Sequence, residues 1–359
     1  MTEFTEATAP SGASLISGPQ IWRGPDMAIR KNEWLYQITD EDAASLKDAT
    51  RTARSTGKEI LELNATDFPL GAFEVRLRAI REELLRGRGF TLIRGLPIDG
   101  RSNEDAAILL WGIGAHLGVA VSQNAKGHVL GHVKDLGHNY SDPVARGYQT
   151  SARLPYHTDY SDLVGLLCIK TAKSGGLSSI VSSGAIYNQV LSERPDLAKT
   201  LMQPLYRTRW GEVGDDRPPW VQVSTFNPYE GGVSTTYVRS AVRKAQLMPE
   251  VPRVSTIQEE AMNYFDCLAE SSEFHLDMEF EPGDLQFVNN HYILHSRTAY
   301  EDHENWTEKR HLMRLWLACD DGPPFPPGMT EHFQGLTLNG RPNGIHVPGV
   351  AFCTPLDAE

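Results

Sequence analysis

"FHLDMEFEPGDLQFVNN" (residues 274–290) reads as two short strands around a turn. Apolar side chains alternate with polar ones through Phe274, Leu276, Met278 and Phe280, the period of a strand with one buried face. Glu281-Pro282-Gly283-Asp284 then places Pro and Gly where a β-turn favours them, so the stretch is expected to fold as a hairpin. Working outward, "VGLLCIKTA" (164–172), "GGLSSIVSS" (175–183), "QVSTFN" (222–227), "GGVSTTYV" (231–238) and "HLMRLWLAC" (311–319) are further short strands separated by turns. Such spacing predicts a barrel or sandwich. Helical periodicity precedes it at 40–60, 72–87 and 103–118 and interrupts it once, at 256–271. The fold class is therefore mainly β with covering helices. Residues 1–20, rich in Thr, Ala, Ser, Gly and Pro, are expected to be a flexible tail, and residues 21–359 a single domain.

The 359 residues carry a formal charge of −12, which argues against a nucleic-acid or anionic-membrane surface but leaves room for a local basic pocket that takes a small molecule. Cys168, Cys267, Cys319 and Cys353 are widely spaced and form no CxxC pair, as expected of reduced thiols in a cytoplasmic protein. No apolar run approaches the length of a membrane span. Exposed strand edges leave room for a homodimer.

The chemistry is read from the histidines. "LPYHTDYSD" (154–162) puts His157 and Asp159 two apart, on one face if the segment is extended. "NNHYILHSR" (289–297) adds His291 and His295, with Ile293 and Leu294 carrying the chain inward. Two imidazoles and one carboxylate form a facial triad that leaves coordination positions open for O2 and a bidentate co-substrate. "HLD" (275–277) repeats the His-x-acid spacing, but on a strand whose polar residues are expected to face solvent. His128, His132 and His138 sit in a Gly-rich region with no organising strand, and His116 is expected to be a packed or edge histidine. "KRHLMRLWL" (309–317) sets Arg310 and Arg314 on a common face whether it is helix or strand, and guanidiniums turned inward need an anion.

Together "HTD" (157–159), "GGLSS" (175–179), "GDLQFVNNHYILHSR" (283–297), "KRHLMR" (309–314) and "GFTLIRGLP" (89–97) resemble the Fe(II)/2-oxoglutarate-dependent taurine dioxygenase-like (TauD/TfdA) family, including its clavaminate synthase-like members. The resemblance runs from about residue 75 to 320. It implies a double-stranded β-helix, or jelly roll, with iron on His157, Asp159 and His295. It also implies that Arg310 pairs with the distal carboxylate of 2-oxoglutarate, assisted by Ser178 where the family commonly has Thr. Arg314 would face the substrate or the inner carboxylate. With Asp159 filling the third ligand position, hydroxylation, desaturation or ring closure is expected rather than halogenation.

For the substrate, "VSQNAKG" (121–127) offers Gln123 and Asn124, Tyr156 and Tyr160 flank the metal motif, and "TTYVRS" (235–240) offers Tyr237 and Arg239. With Arg314 these suggest a small polar or anionic substrate, such as an amino acid or a derivative. Because an imidazole must be neutral to ligate, iron binding is expected to weaken as pH falls through the ordinary histidine range. Two other readings use the same triad. A zinc hydrolase would leave the arginine pair and the Gly-Gly-Leu-Ser motif unexplained, and a non-catalytic jelly-roll sensor would bind 2-oxoglutarate without consuming it.

Overall fold

The computed structural model describes residues 13–139, 146–214, 217–337 and 339–358. Two facing sheets form the core. We label their strands in chain order: β1 (Leu35–Gln37), β2 (Phe90–Arg94), β3 (Val119–Ala120), β4 (Leu130–Val133), β5 (Leu154–His157), β6 (Leu163–Lys170), β7 (Ser178–Ser182), β8 (His275–Met278), β9 (Leu285–Asn289), β10 (Ile293–Arg297) and β11 (His311–Ala318). The larger sheet runs β1-β2-β9-β6-β11-β3, with β4 also on β11, and the smaller runs β8-β7-β10-β5. The chain passes repeatedly from one sheet to the other, giving a double-stranded β-helix.

Three hydrophobic layers hold this arrangement together. Between the sheets lie Phe90, Val164, Ile180, Leu276, Met278, Ile293, Leu312 and Trp316. The outer face of the larger sheet packs Leu167, Phe287, Met313 and Leu315 against helices Asp40–Ser55, Phe73–Leu85 and Asn103–Ala115. The outer face of the smaller sheet packs Tyr156, Val181 and Leu294 against helices Ser183–Glu193, Pro195–Leu201 and Thr256–Glu270. The helices begin where the sequence supplies caps: Thr39 and Asp42 form a capping box, as do Ser255 and Gln258, and Ser102 accepts from the Asp105 N–H. Gly112 permits a close approach in the helical cover, since a Cβ there would lie 2.2 Å from the Phe68 ring.

Two expectations need correction. The Glu281–Asp284 turn forms, with Asp284 N–H donating to Glu281 at 3.0 Å and Gly283 at φ +88°, but it makes no hairpin. β8 pairs with β7 in the smaller sheet, whereas β9 pairs with β2 and β6 in the larger. The turn is a corner between sheets, and its backbone bonds outward to Cys168 and Leu96 while Arg94 grips the Asp284 carboxylate. Alternation identified both strands but carries no information about partners. The second correction concerns the tail. Residues 13–20 are fastened, because Asn188 bonds both backbone groups of Ile16 and Tyr187 donates to Ser14. Residues 1–12 lie outside the described residues. Among the described residues no helix is long and apolar enough to cross a membrane.

Candidate active site

His157 and His295 are register partners on the antiparallel strands β5 and β10, so their rings point side by side into the space between the sheets, 4.2 Å apart by centroid. Asp159 follows β5 directly. Its backbone N–H donates to the Asn290 side-chain oxygen at 3.0 Å, and Asn290 in turn donates to Ser161. Asn290, directly after β9, thus holds the carboxylate-bearing turn in place. The carboxylate itself accepts from the Trp316 indole at 2.9 Å and from Arg314 at 3.4 Å, both on β11 across the core.

The donor set suits a divalent metal. Ligand atoms of His157, Asp159 and His295 all lie within 4.8 Å of one another. The imidazole Nε2 atoms stand 3.9 and 3.7 Å from Asp159 oxygens, too far for hydrogen bonds to one another and close enough for an ion bonded to all three. His157 Nδ1 donates to the Pro155 carbonyl at 2.9 Å, which turns the Nε2 lone pair toward the centre. Burial pushes His157 below the ordinary histidine range and His295 down to about 3. Both imidazoles therefore stay neutral below the ordinary histidine range, His295 the further, which moves the expected acid sensitivity of metal binding downward. Burial would raise the Asp159 pKa, but Arg314 and the two imidazoles hold it below its ordinary value.

Two chambers meet at this point, sharing Tyr148, Leu154, His157 and Arg314. The inner one, of about 470 Å³, contains Ser178, His295, Arg297, Arg310 and an apolar wall of Val133, Leu166, Phe280 and Leu312. Arg310 is buried there with its guanidinium 5.2 Å from the Tyr300 ring, and its Nη1 has no hydrogen-bond partner. Ser178 Oγ, on the same chamber, donates to Gln286 at 3.1 Å. The Gly-Gly pair explains itself here: Gly176 has φ +74°, and a Cβ on it would lie 3.1 Å from Arg310 Nε. The unsatisfied guanidinium beside the triad fits a small dicarboxylate.

The outer chamber, of about 620 Å³, is bounded by Arg146, Tyr148, His157, Asp159, Tyr160, Trp210, Arg239 and Arg314. Of the residues anticipated for the substrate, Arg314 lines both chambers, while Gln123 is spent on it. Gln123 accepts from Arg314 Nε at 2.7 Å and donates to the Arg314 carbonyl at 2.9 Å, which makes it a positioning residue. Asn124 caps its own loop by accepting from Lys126 and His128. Tyr156 borders the outer chamber, but its ring packs on the helical side with its hydroxyl on Ser179; Tyr237 is buried with its hydroxyl on Asp266. Arg239 reaches the wall, but its guanidinium is directed to Glu259, Asn263 and Asp266.

The other histidines behave as packing or structural groups. The His275 ring lies beside its neighbour Asp277, at 3.7 Å, and the Tyr156 ring, at a partly exposed position, and is not part of the triad. His132 bonds His311 and the Pro355 carbonyl, and His116 bonds the Phe68 carbonyl. His291 is held between Ser234 and Asp162, the latter also gripped by Arg341. Sequence reasoning passed over Trp316 and Gln286 as supports. It also missed Arg146 and Trp210, which stand on irregular segments with no periodicity to mark them.

Residues 50–316 match the family described as taurine catabolism dioxygenase TauD, TfdA family. The chain belongs to this family. FR-33289 synthase of Streptomyces rubellomurinus is 29% identical over 333 residues, covering 91% of this chain and 97% of that protein. Among solved structures, asparagine oxygenase in complex with Fe(II), 2S,3S-3-hydroxyasparagine and succinate superposes with a TM-score of 0.62 at 16% identity, covering 79% of this chain and 93% of that one. The non-haem iron oxygenase OrfP in complex with Fe and alpha-ketoglutaric acid gives 0.59 at 17%, covering 79% and 94%. The family member described here is an Fe(II)- and 2-oxoglutarate-dependent oxygenase.

Proposed function

We propose that this oxygenase hydroxylates a small acid-bearing substrate, an amino acid or a derivative, using His157, Asp159 and His295 to hold iron and Arg310 with Ser178 to hold the distal carboxylate of 2-oxoglutarate. The observation that carries this reading is the convergence of the three ligand atoms within 4.8 Å beside a chamber whose buried guanidinium has an unpartnered Nη1. When bound, iron with 2-oxoglutarate and O2 supplies the power to oxidise an unactivated C–H bond, releasing succinate and CO2.

The protein's own contribution is positional. Pro155 fixes the His157 ring, Trp316 and Asn290 fix Asp159, and Gln123 fixes Arg314 at the junction of the chambers. Val133, Leu166, Phe280 and Leu312 keep water from the inner chamber. The substrate class is supported by the arginines of the outer wall and by the neighbouring structure that contains a hydroxylated asparagine. Free thiols at all four cysteines fit a reducing cytoplasmic setting.

The test is an anaerobic titration with Fe(II) and then 2-oxoglutarate, watched for the weak visible charge-transfer band of a chelated 2-oxo acid. The band is expected in the native protein and weakened in Asp159→Ala. Iron binding without a band would refute the co-substrate assignment and favour a metal-dependent hydrolase.

A further inference from the structure

Arg146, on the wall of the outer chamber, pairs with a buried carboxylate, Glu212. Arg146 Nη1 lies 3.0 Å from Glu212 Oε2, yet neither atom makes a hydrogen bond. Glu212 is buried and lies in the field of Arg314 as well as Arg146. The other carboxylate of Arg314 is Asp159, at 3.4 Å, the group assigned above to iron. Once Asp159 serves a divalent cation, Glu212 is the one carboxylate left near Arg146 and Arg314 among the described residues. Arg239, the third guanidinium on this wall, is already occupied by groups of helix Thr256–Glu270. Behind Tyr160, Arg207 is fully buried and donates only to Thr236, with no carboxylate partner among the described residues. Positive charge on this side of the cavity therefore exceeds negative, and a buried guanidinium without a counter-ion is costly.

The local geometry has the form of a receptor. The Arg146 guanidinium lies 4.4 Å from the Trp210 ring centroid and 6.0 Å from that of Tyr148, and all three residues line the outer chamber. Trp210 has φ 51°, a left-handed conformation that is strained for a non-glycine residue. It is kept there by its N–H on Thr208 Oγ1 at 3.0 Å and by the Glu212 N–H on the Arg209 carbonyl at 2.8 Å. Strain of this kind beside a cavity is characteristic of ligand clamps.

We propose that Arg146, laid on Trp210 and countered by Glu212, is the specificity-determining residue of this oxygenase, and that with Arg314 it holds an oxyanion head group of the substrate. The inference rests on the oxygenase reading, because it is iron on Asp159 that frees Arg314. The head group is a carboxylate or a tetrahedral phosphate-like group, both of which a guanidinium edge receives through paired hydrogen bonds.

The experiment measures equilibrium binding of acetate and of inorganic phosphate to the anaerobic enzyme loaded with Fe(II) and saturating 2-oxoglutarate, with the visible band followed in the same samples. At least one probe is expected to bind at one equivalent without displacing 2-oxoglutarate, the tighter one naming the head group. Arg146→Gln should weaken that binding at least tenfold. Glu212→Gln should tighten it by releasing both guanidiniums, a gain that a damaged fold would not produce. Equal affinity in native and Arg146→Gln protein, binding of neither probe, or displacement of 2-oxoglutarate by the probe overturns the proposal. A missing band with intact, Arg146-dependent binding would count against the oxygenase reading and for the anion site. A normal band with no Arg146 dependence would do the reverse.

Discussion

Replacing Arg310 by Met should separate stability from function in opposite directions. The guanidinium is buried, its Nη1 is unpartnered, and no carboxylate lies within ion-pair distance of it among the described residues. In the metal-free protein the charge is therefore a burden, and an unbranched apolar side chain of similar reach should be neutral or stabilising by about 1–4 kcal/mol. With 2-oxoglutarate bound, the same guanidinium makes a charge-assisted contact worth roughly 1.5–3 kcal/mol, so its loss should weaken the co-substrate about ten- to a hundredfold. Iron affinity should stay unchanged, because Arg310 touches none of the three ligands. Urea unfolding of the metal-free protein gives the first quantity, and anaerobic titration of the visible band gives the second. A variant that binds 2-oxoglutarate as tightly as the native protein, or whose metal-free form is less stable by about 2 kcal/mol or more, would refute the reasoning.

Other expectations follow from the same geometry. Trp316→Phe keeps an aromatic ring but deletes the 2.9 Å hydrogen bond to Asp159, and should weaken iron binding by roughly ten- to a hundredfold; an unchanged iron titration would show that Arg314 alone orients the carboxylate. Gly176→Ala places a Cβ 3.1 Å from Arg310 Nε at φ +74°, and should raise the KM for 2-oxoglutarate several-fold while leaving iron affinity intact; a loss of iron instead would mean that the strand has shifted as a whole. Burial depresses His132, His157 and His332, and pushes His295 and His311 down to about 3. Below about pH 6.5 the unfolded chain thus binds more protons than the folded one, so the metal-free protein should lose stability as pH falls from there toward 3, by up to about 1.4 kcal/mol per pH unit for each such histidine. Denaturation midpoints that stay flat between pH 7 and 5 would contradict the burial of these imidazoles.

The parts of the fold and the candidate site that were legible in the sequence are those set by local chemistry. Helix periodicity and caps located Asp40–Ser55, Phe73–Leu85, Asn103–Ala115 and Thr256–Glu270, and the spacing of His157 and Asp159 marked the site before any partner was known. Pairing was not legible. The β8–β9 segment reads as a hairpin because alternation and a good turn are local properties, whereas the choice of sheet depends on Cys168 and Leu96, which accept and donate across the corner from more than a hundred residues away. The same limit governs Tyr156: nearness in sequence to the metal motif says nothing about which face of the sheet a side chain takes. A charge on a buried strand is easier to single out, because it demands a partner wherever it points.

Arg314 is where the two chambers become one device. Gln123 fixes its Nε and its carbonyl, so the remaining guanidinium edge has little freedom to swing. In the metal-free state that edge leans on Asp159 at 3.4 Å and damps the charge of the carboxylate. Engaging the carboxylate with a divalent cation removes that partner, and the freed guanidinium faces both chambers at once. Anion affinity in the outer chamber should then depend on the metal, through a charge that changes partners rather than through movement of the backbone. Binding a probe anion to metal-free protein should accordingly be weaker than to the protein loaded with metal and 2-oxoglutarate, and Arg314→Gln should erase most of the difference. A difference that survives that substitution would place the coupling in direct contact with the metal alone.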